Sequence, residues 1–188
     1  MQLITTKLFI SPTPTDYIPR PQLLKKLGQI PAHKLTILSA PAGFGKTTLL
    51  SSWFRETTDK TSNHTGDGGR SVRIQPCWLS LDMEDNDPGR FLEALLSSLE
   101  DAGTLLNTAA SFLPIKSTVD YPSVLNALIH DLSSSQNDIV LVFDDYHVIE
   151  NKEIHGLVHH LISHTPQSFH ILVSTRSHPP FETGKLRV

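Results

Sequence analysis

A short apolar run, Leu35-Thr36-Ile37-Leu38-Ser39, leads straight into a glycine-bearing loop, Ala40-Pro41-Ala42-Gly43-Phe44-Gly45, and a helix-forming stretch follows from 47 to about 56. A buried strand that turns sharply into a helix is the repeating unit of parallel α/β sheets, and the glycines supply backbone angles that other residues resist. The rest of the chain repeats that alternation. Residues 74–81 read as a second strand. Asp87-Pro88 reads as an N-cap followed by proline at the first helical position, opening a helix with Phe91, Leu92, Leu95, Leu96 and Leu99 on one side. After a looser stretch, Pro122 opens a helix in which Val124, Leu125, Leu128, Ile129 and Leu132 recur at helical spacing.

Ile139-Val140-Leu141-Val142-Phe143 is continuously apolar, as a central parallel strand covered on both faces must be, and it delivers Asp144-Asp145 at its C-terminal end. Open α/β sheets place their ligands at that edge. Residues 152–164 form an amphipathic helix, and 170–174 a fourth strand ending at Thr175-Arg176. The order βαβααβαβ predicts an α/β three-layer sandwich with a mostly parallel sheet. Residues 1–31 read as a proline-punctuated extended lead-in with a short helix at its end. Residues 32–188 read as the domain proper, interrupted by a polar, glycine-containing stretch at 57–75 that is expected to be a flexible surface loop.

Residues 40–47 follow the phosphate-loop spacing of P-loop NTPases, with alanine in place of the first glycine. Backbone N–H groups of Ala42, Gly43, Phe44, Gly45 and Lys46 are positioned to wrap a β-phosphate, aided by the positive end of the helix that follows. Lys46 reaches β- and γ-phosphate oxygens, Thr47 offers a hydroxyl to Mg²⁺, and Thr48 contacts the α-phosphate. Asp144, closing a buried strand, is placed to hold the Mg²⁺ directly or through water. Asp145 has two readings: it orients or deprotonates an attacking water, or it is a supporting or helix-capping carboxylate. Arg176 likewise is either a sensor of the γ-phosphate or a surface arginine in a loop, and Arg20 lies where it could face the nucleotide.

Other features point elsewhere or nowhere. The four histidines of residues 155–164 lack a carboxylate or cysteine to complete a metal site, and the acidic run 82–87 lacks the glycine and terminal glutamate of a calcium-binding loop. A net charge of -3 gives no basic footprint for nucleic acid, and no apolar run approaches the ~20 residues that span a bilayer. Lone Cys77 sits in an apolar run, which suits a reducing cytoplasm.

As a set, Tyr17-Ile18-Pro19-Arg20-Pro21, the loop at 39–48, Trp78-Leu79-Ser80-Leu81-Asp82 with Asp85-Asn86-Asp87-Pro88, Val142-Phe143-Asp144-Asp145-Tyr146-His147 and Ser174-Thr175-Arg176-Ser177 resemble the N-terminal ATPase domain of the MalT-like, large ATP-binding LuxR-type transcription regulators, within the STAND class of signalling NTPases. The resemblance implies a sheet of order 5-1-4-3-2, with the fifth strand missing from this chain. It also implies ATP and ADP as ligands with Mg²⁺, Arg20 as a nucleotide contact and Arg176 as the sensor arginine. ADP would hold an inactive monomer, and ATP with an inducer would permit self-association and activation of transcription, with slow hydrolysis resetting the switch. The family's helical-repeat sensor and helix-turn-helix are absent from the 188 residues, so the chain is expected to be an N-terminal piece that does not bind DNA by the family's route. A small-molecule P-loop kinase, and a degenerate fragment serving only as an interaction module, are the alternatives.

Overall fold

The computed structural model describes residues 5–10, 12, 17–63, 74–116, 119–177 and 179, and at residues 5, 6 and 59–63 the backbone alone. Four strands, β1 (Leu35–Ser39), β2 (Ile74–Ser80), β3 (Asp138–Asp144) and β4 (Phe169–Thr175), form a wholly parallel sheet in the order β1-β4-β3-β2. This is the 1-4-3-2 part of the expected order. A strand outside β1 is not among the described residues.

Alternation along the strands sends side chains to two separate cores, which is what makes the fold three-layered. On one face Ile139, Leu141, Phe143, Ile171 and Val173 pack with the apolar sides of α4 (Pro88–Asp101), α5 (Tyr121–Ser133) and α6 (Lys152–His164). On the other, Val140, Val142, Leu172 and Trp78 pack with α2 (Pro21–Leu27) and α3 (Lys46–Asn63), chiefly through Leu27, Leu49, Leu50 and Trp53. Cys77 belongs to the first core, where burial pushes its thiol up to about 12. It is therefore a packing residue, inert as a nucleophile. No described helix is long and apolar enough to cross a membrane.

Local chemistry sets most helix boundaries. Asp87 accepts a hydrogen bond from the Arg90 N–H at 2.8 Å with Pro88 next in line, so α4 starts where the sequence predicts. The Asp120 carboxylate does the same for α5, accepting from the Ser123 N–H at 3.1 Å. At the other end of the chain's first crossover the structure departs from expectation. The helix after the loop does not stop near residue 56 but continues as α3 to Asn63, so residues 57–63 of the expected loop are helical. Thr57 and Thr58 donate back to the carbonyls of Trp53 and Phe54, absorbing their hydroxyls within the helix rather than against it. Residues 64–73 of that loop lie outside the described residues.

The lead-in is not wholly extended either. A turn of helix, α1 (Thr5–Leu8), docks against the β2 end of the sheet and buries Lys7. Its ammonium lies 2.6 Å from Asp85 and 2.9 Å from Asp82. Asp85 is fully buried, and its second carboxylate oxygen accepts the Asp82 N–H at 2.8 Å, while Arg90 Nε lies 3.8 Å from the oxygen that Lys7 contacts. The acidic run 82–87 is thus an anchor for the N-terminus as well as a capped connection, a pairing across 78 residues that no local pattern encodes.

Removing one partner of a buried pair leaves the other charge uncompensated. Lys7→Met is expected to lower stability by about 3 kcal/mol, read as a shift of the urea midpoint at constant slope. An unchanged midpoint would mean that Arg90 alone compensates Asp85.

Candidate functional site

The phosphate-loop residues and the two aspartates, remote in sequence, meet at the C-terminal edge of the sheet. The loop arches between β1 and α3 with Gly43 at φ 78° and Gly45 at φ 74°, both in the left-handed region where a side chain is strained. At Gly45 a Cβ would also come within 3.6 Å of the Arg20 guanidinium. That guanidinium donates to the Phe44 carbonyl at 3.0 Å, so Arg20, from the lead-in, does reach the loop. Lys46 is buried, and its ammonium donates to the carbonyls of Ala40 at 2.7 Å and Pro41 at 3.2 Å, bracing the arch from beneath. Ala42 and Phe44 stand exposed at its crown, and Thr48 is half-buried in the first turn of α3.

Thr47 makes the contact that joins the two halves of the site. Its hydroxyl donates to the Asp144 Oδ2 at 2.8 Å across 97 residues of sequence. Asp144 is 3% exposed at the end of β3, and its Oδ1 accepts the Asp145 N–H at 3.1 Å. These oxygens fit a hard divalent ion: Mg²⁺ binds oxygen at about 2.0–2.1 Å in octahedral geometry, so neighbouring ligand oxygens stand about 2.9 Å apart. The Thr47–Asp144 separation of 2.8 Å is that of an O–H···O hydrogen bond and is also compatible with that edge. Six backbone-lined residues with a buried ammonium on one side and a hydroxyl–carboxylate pair on the other can hold a polyphosphate and its metal.

Asp145 adopts φ 56° and ψ 35°, the one left-handed residue other than glycine among those described. This turns the chain out of β3 into a 310 turn, Tyr146–Val148, closed by the Val148 N–H donating to the Asp145 carbonyl at 3.1 Å. The Asp145 side chain caps no N–H there and remains partly open to solvent. Arg176 stands exposed just past β4 and, among the described residues, makes no direct hydrogen bond to the loop or the aspartates. Its charge nonetheless acts on His147 in the 310 turn. Burial, then Arg176, and also Lys46, hold the His147 imidazole below its ordinary pKa, against the opposing pull of Asp145 and Asp144. The ring is therefore neutral at neutral pH.

Three contributors to this region were not singled out from the sequence. His147 is one. Ser174 is fully buried in β4, one residue past the Phe143–Val173 pair, with a hydroxyl that finds no partner among the described residues. Asn86 is the third: its amide donates to the carbonyls of Met83 and Val148, and its Oδ1 accepts the N–H groups of Glu150 and Asn151 at 2.7 and 3.0 Å. It clamps the segment leaving the aspartates to the β2–α4 connection. Each carried a signal only as a member of a run in the resemblance, Asp85-Asn86-Asp87-Pro88, Asp144-Asp145-Tyr146-His147 or Ser174-Thr175-Arg176-Ser177, with no role attached to it. The α6 histidines take other roles, with the Tyr146 hydroxyl 2.8 Å from His155 Nδ1 and His160 stacked on His164 at 4.2 Å. Among the described residues no three histidine, cysteine or acidic side chains cluster to hold a metal.

A parallel sheet in this order, a glycine loop running from β1 into a helix, and an aspartate at the end of β3, one strand beyond β1's neighbour β4, define the P-loop NTPase fold. Solved structures share it. The ORC1 protein of Aeropyrum pernix in complex with DNA superposes with a TM-score of 0.58 at 16% identity, over 86% of this chain and 40% of that one. The Cdc6p of Pyrobaculum aerophilum gives 0.53 at 17% identity, over 92% and 42%. In sequence the chain is similar to MalT regulators. It is 33% identical over 172 residues to the HTH-type transcriptional regulator MalT of Vibrio campbellii, and 32% identical over 187 residues to the MalT of Serratia proteamaculans. Those matches cover 91% and 99% of this chain but 17% and 19% of the relatives, so the chain spans less than a fifth of their length. No family model matches.

Asn86→Ala leaves two N–H groups and two carbonyls without their partner. The expected loss is about 2 kcal/mol, accompanied by faster amide exchange at Glu150 and Asn151 than at the centre of β3.

Proposed function

We propose that this chain is an ATP- and Mg²⁺-binding switch domain of a MalT-type transcriptional regulator, capable of slow ATP hydrolysis. The observation that carries the reading is the Thr47–Asp144 contact, because it brings a hydroxyl and a buried carboxylate, both oxygen ligands that suit Mg²⁺, together beside the arch that Lys46 braces. The loop amides from Ala42 to Lys46 would receive the β-phosphate. Lys46, released from the Ala40 and Pro41 carbonyls, would meet the β- and γ-phosphates, Thr48 would meet the α-phosphate, and Arg20 would close the lead-in over the loop. Thr47 and Asp144 would hold Mg²⁺, which when bound screens the phosphate charge.

Asp145 would orient the attacking water and accept its proton, with Arg176 responding to the γ-phosphate from the end of β4. Such an assembly distinguishes ATP from ADP through one phosphate, which is the requirement for a nucleotide switch. Self-association in the longer regulator, and a DNA-binding role located outside this segment, belong to the same reading. Similarity to the MalT regulators supports the regulatory context, and the fold supports nucleotide as the ligand.

Isothermal titration calorimetry with ATP, with and without Mg²⁺, tests it. Lys46→Ala removes a charge-assisted contact and is expected to weaken binding by about 10- to 100-fold. Asp144→Asn is expected to abolish the gain in affinity that Mg²⁺ confers while leaving metal-free binding close to that of the unaltered chain. Absence of binding by the unaltered chain, or equal binding by the Lys46→Ala variant, would contradict the reading.

A further inference from the structure

Resting on the ATP reading above, we infer that His147 is the positioning residue for Asp145: it holds the carboxylate on the attacking water without itself touching the nucleotide. The geometry starts with the left-handed Asp145. Because that residue turns the chain into a 310 turn, position 147 folds back toward 145, and His147 Nδ1 comes to lie 3.6 Å from Asp145 Oδ1. The ring is covered, at 16% side-chain exposure, whereas Asp145 keeps 42%.

One further observation makes this more than proximity. His147 Nδ1 is buried and has no hydrogen-bond partner among the described residues. An orphaned buried polar atom is costly, and the acceptor that would satisfy this one is the Asp145 carboxylate. At 3.6 Å the pair is too long for a hydrogen bond, and hydrogen bonds at such sites commonly tighten only when substrate is in place. The neutral ring carries one proton, and an acceptor at Nδ1 selects the tautomer that donates there.

In the step this serves, the water oxygen bonds to the γ-phosphorus as the bond from that phosphorus to the bridging oxygen breaks. The bridging electron pair leaves with ADP, inorganic phosphate is formed, and the water proton passes to Asp145 and then to solvent. Among the described residues no hydrogen bond joins His147 to the phosphate loop, whose Lys46 is felt at the ring through its charge, so fixing Asp145 is expected to affect this step far more than the binding of ATP.

The test uses the whole 188-residue chain, measuring ATP affinity by calorimetry and phosphate release in single turnover. His147→Ala is expected to keep ATP affinity within about twofold and to slow phosphate release by about tenfold or more. His147→Asn, whose amide nitrogen occupies nearly the place of Nδ1, is expected to restore release to within about threefold, and His147→Gln, whose amide nitrogen lies near Nε2, is not. The comparison of Asn with Gln stands even where the alanine variant fails to fold. Rescue by glutamine equal to that by asparagine, wild-type release from His147→Ala, or ATP binding by the unaltered chain with release no faster than a Lys46→Ala control would each overturn the inference. Failure of the unaltered chain to bind ATP would overturn the nucleotide reading itself, and this inference with it.

Discussion

The hydrogen bond between the Thr47 hydroxyl and the Asp144 carboxylate is the interaction on which the site depends. It is made between the first turn of α3 and the end of β3, although β4 lies between β1 and β3 in the sheet. The loop leaving β1 must therefore cross the end of β4 to reach β3. Glycines at 43 and 45 allow that arch, and Lys46, buried beneath it, holds it by two carbonyls. Asp144 can be buried at that point because both its oxygens are occupied, one by Thr47 and one by the Asp145 N–H. A buried carboxylate without those donors would be costly, so the geometry that suits a metal also permits the residue to sit there.

Around that contact the structure is arranged as two clamps from the flanks. Lys7, in the lead-in, is paired with Asp82 and Asp85 on the β2–α4 connection, and Asn86 on the same connection grips the segment after Asp145. Arg20, further along the lead-in, grips the phosphate loop at Phe44. The N-terminal residues thus bear on both sides of the site. They do so through polar contacts over an apolar framework, in which the two cores on either face of the sheet keep the strand ends in register.

Much of this was legible in the sequence, and the reason is physical. Continuous apolar character in β3, the helical spacing of leucines in α4 and α5, and the Asp87-Pro88 cap are local signals with a single good structural solution. The phosphate loop is legible for the same reason, since its glycine spacing answers a backbone requirement. What escaped notice is non-local or depends on side-chain direction. Lys7 reads as an ordinary charged residue near a terminus, and only its pairing with residues about 80 positions away explains its burial. The helical extension of α3 to Asn63 runs through threonines and polar residues with weak propensity, so composition pointed to a loop where helix propagation prevailed. His147 and Asn86 act through a turn geometry, set by the left-handed Asp145, that composition does not reveal.

The claim that the ion belongs between Thr47 and Asp144 is tested most directly by substituting paramagnetic Mn²⁺ for Mg²⁺ with ATP and following backbone amide resonances. Broadening at low Mn²⁺ is expected to strike Gly45, Thr47, Asp144 and Asp145 first and to leave α5 untouched. Broadening centred on His159, His160 and His164 of α6, with the loop and the two aspartates unaffected, would contradict it.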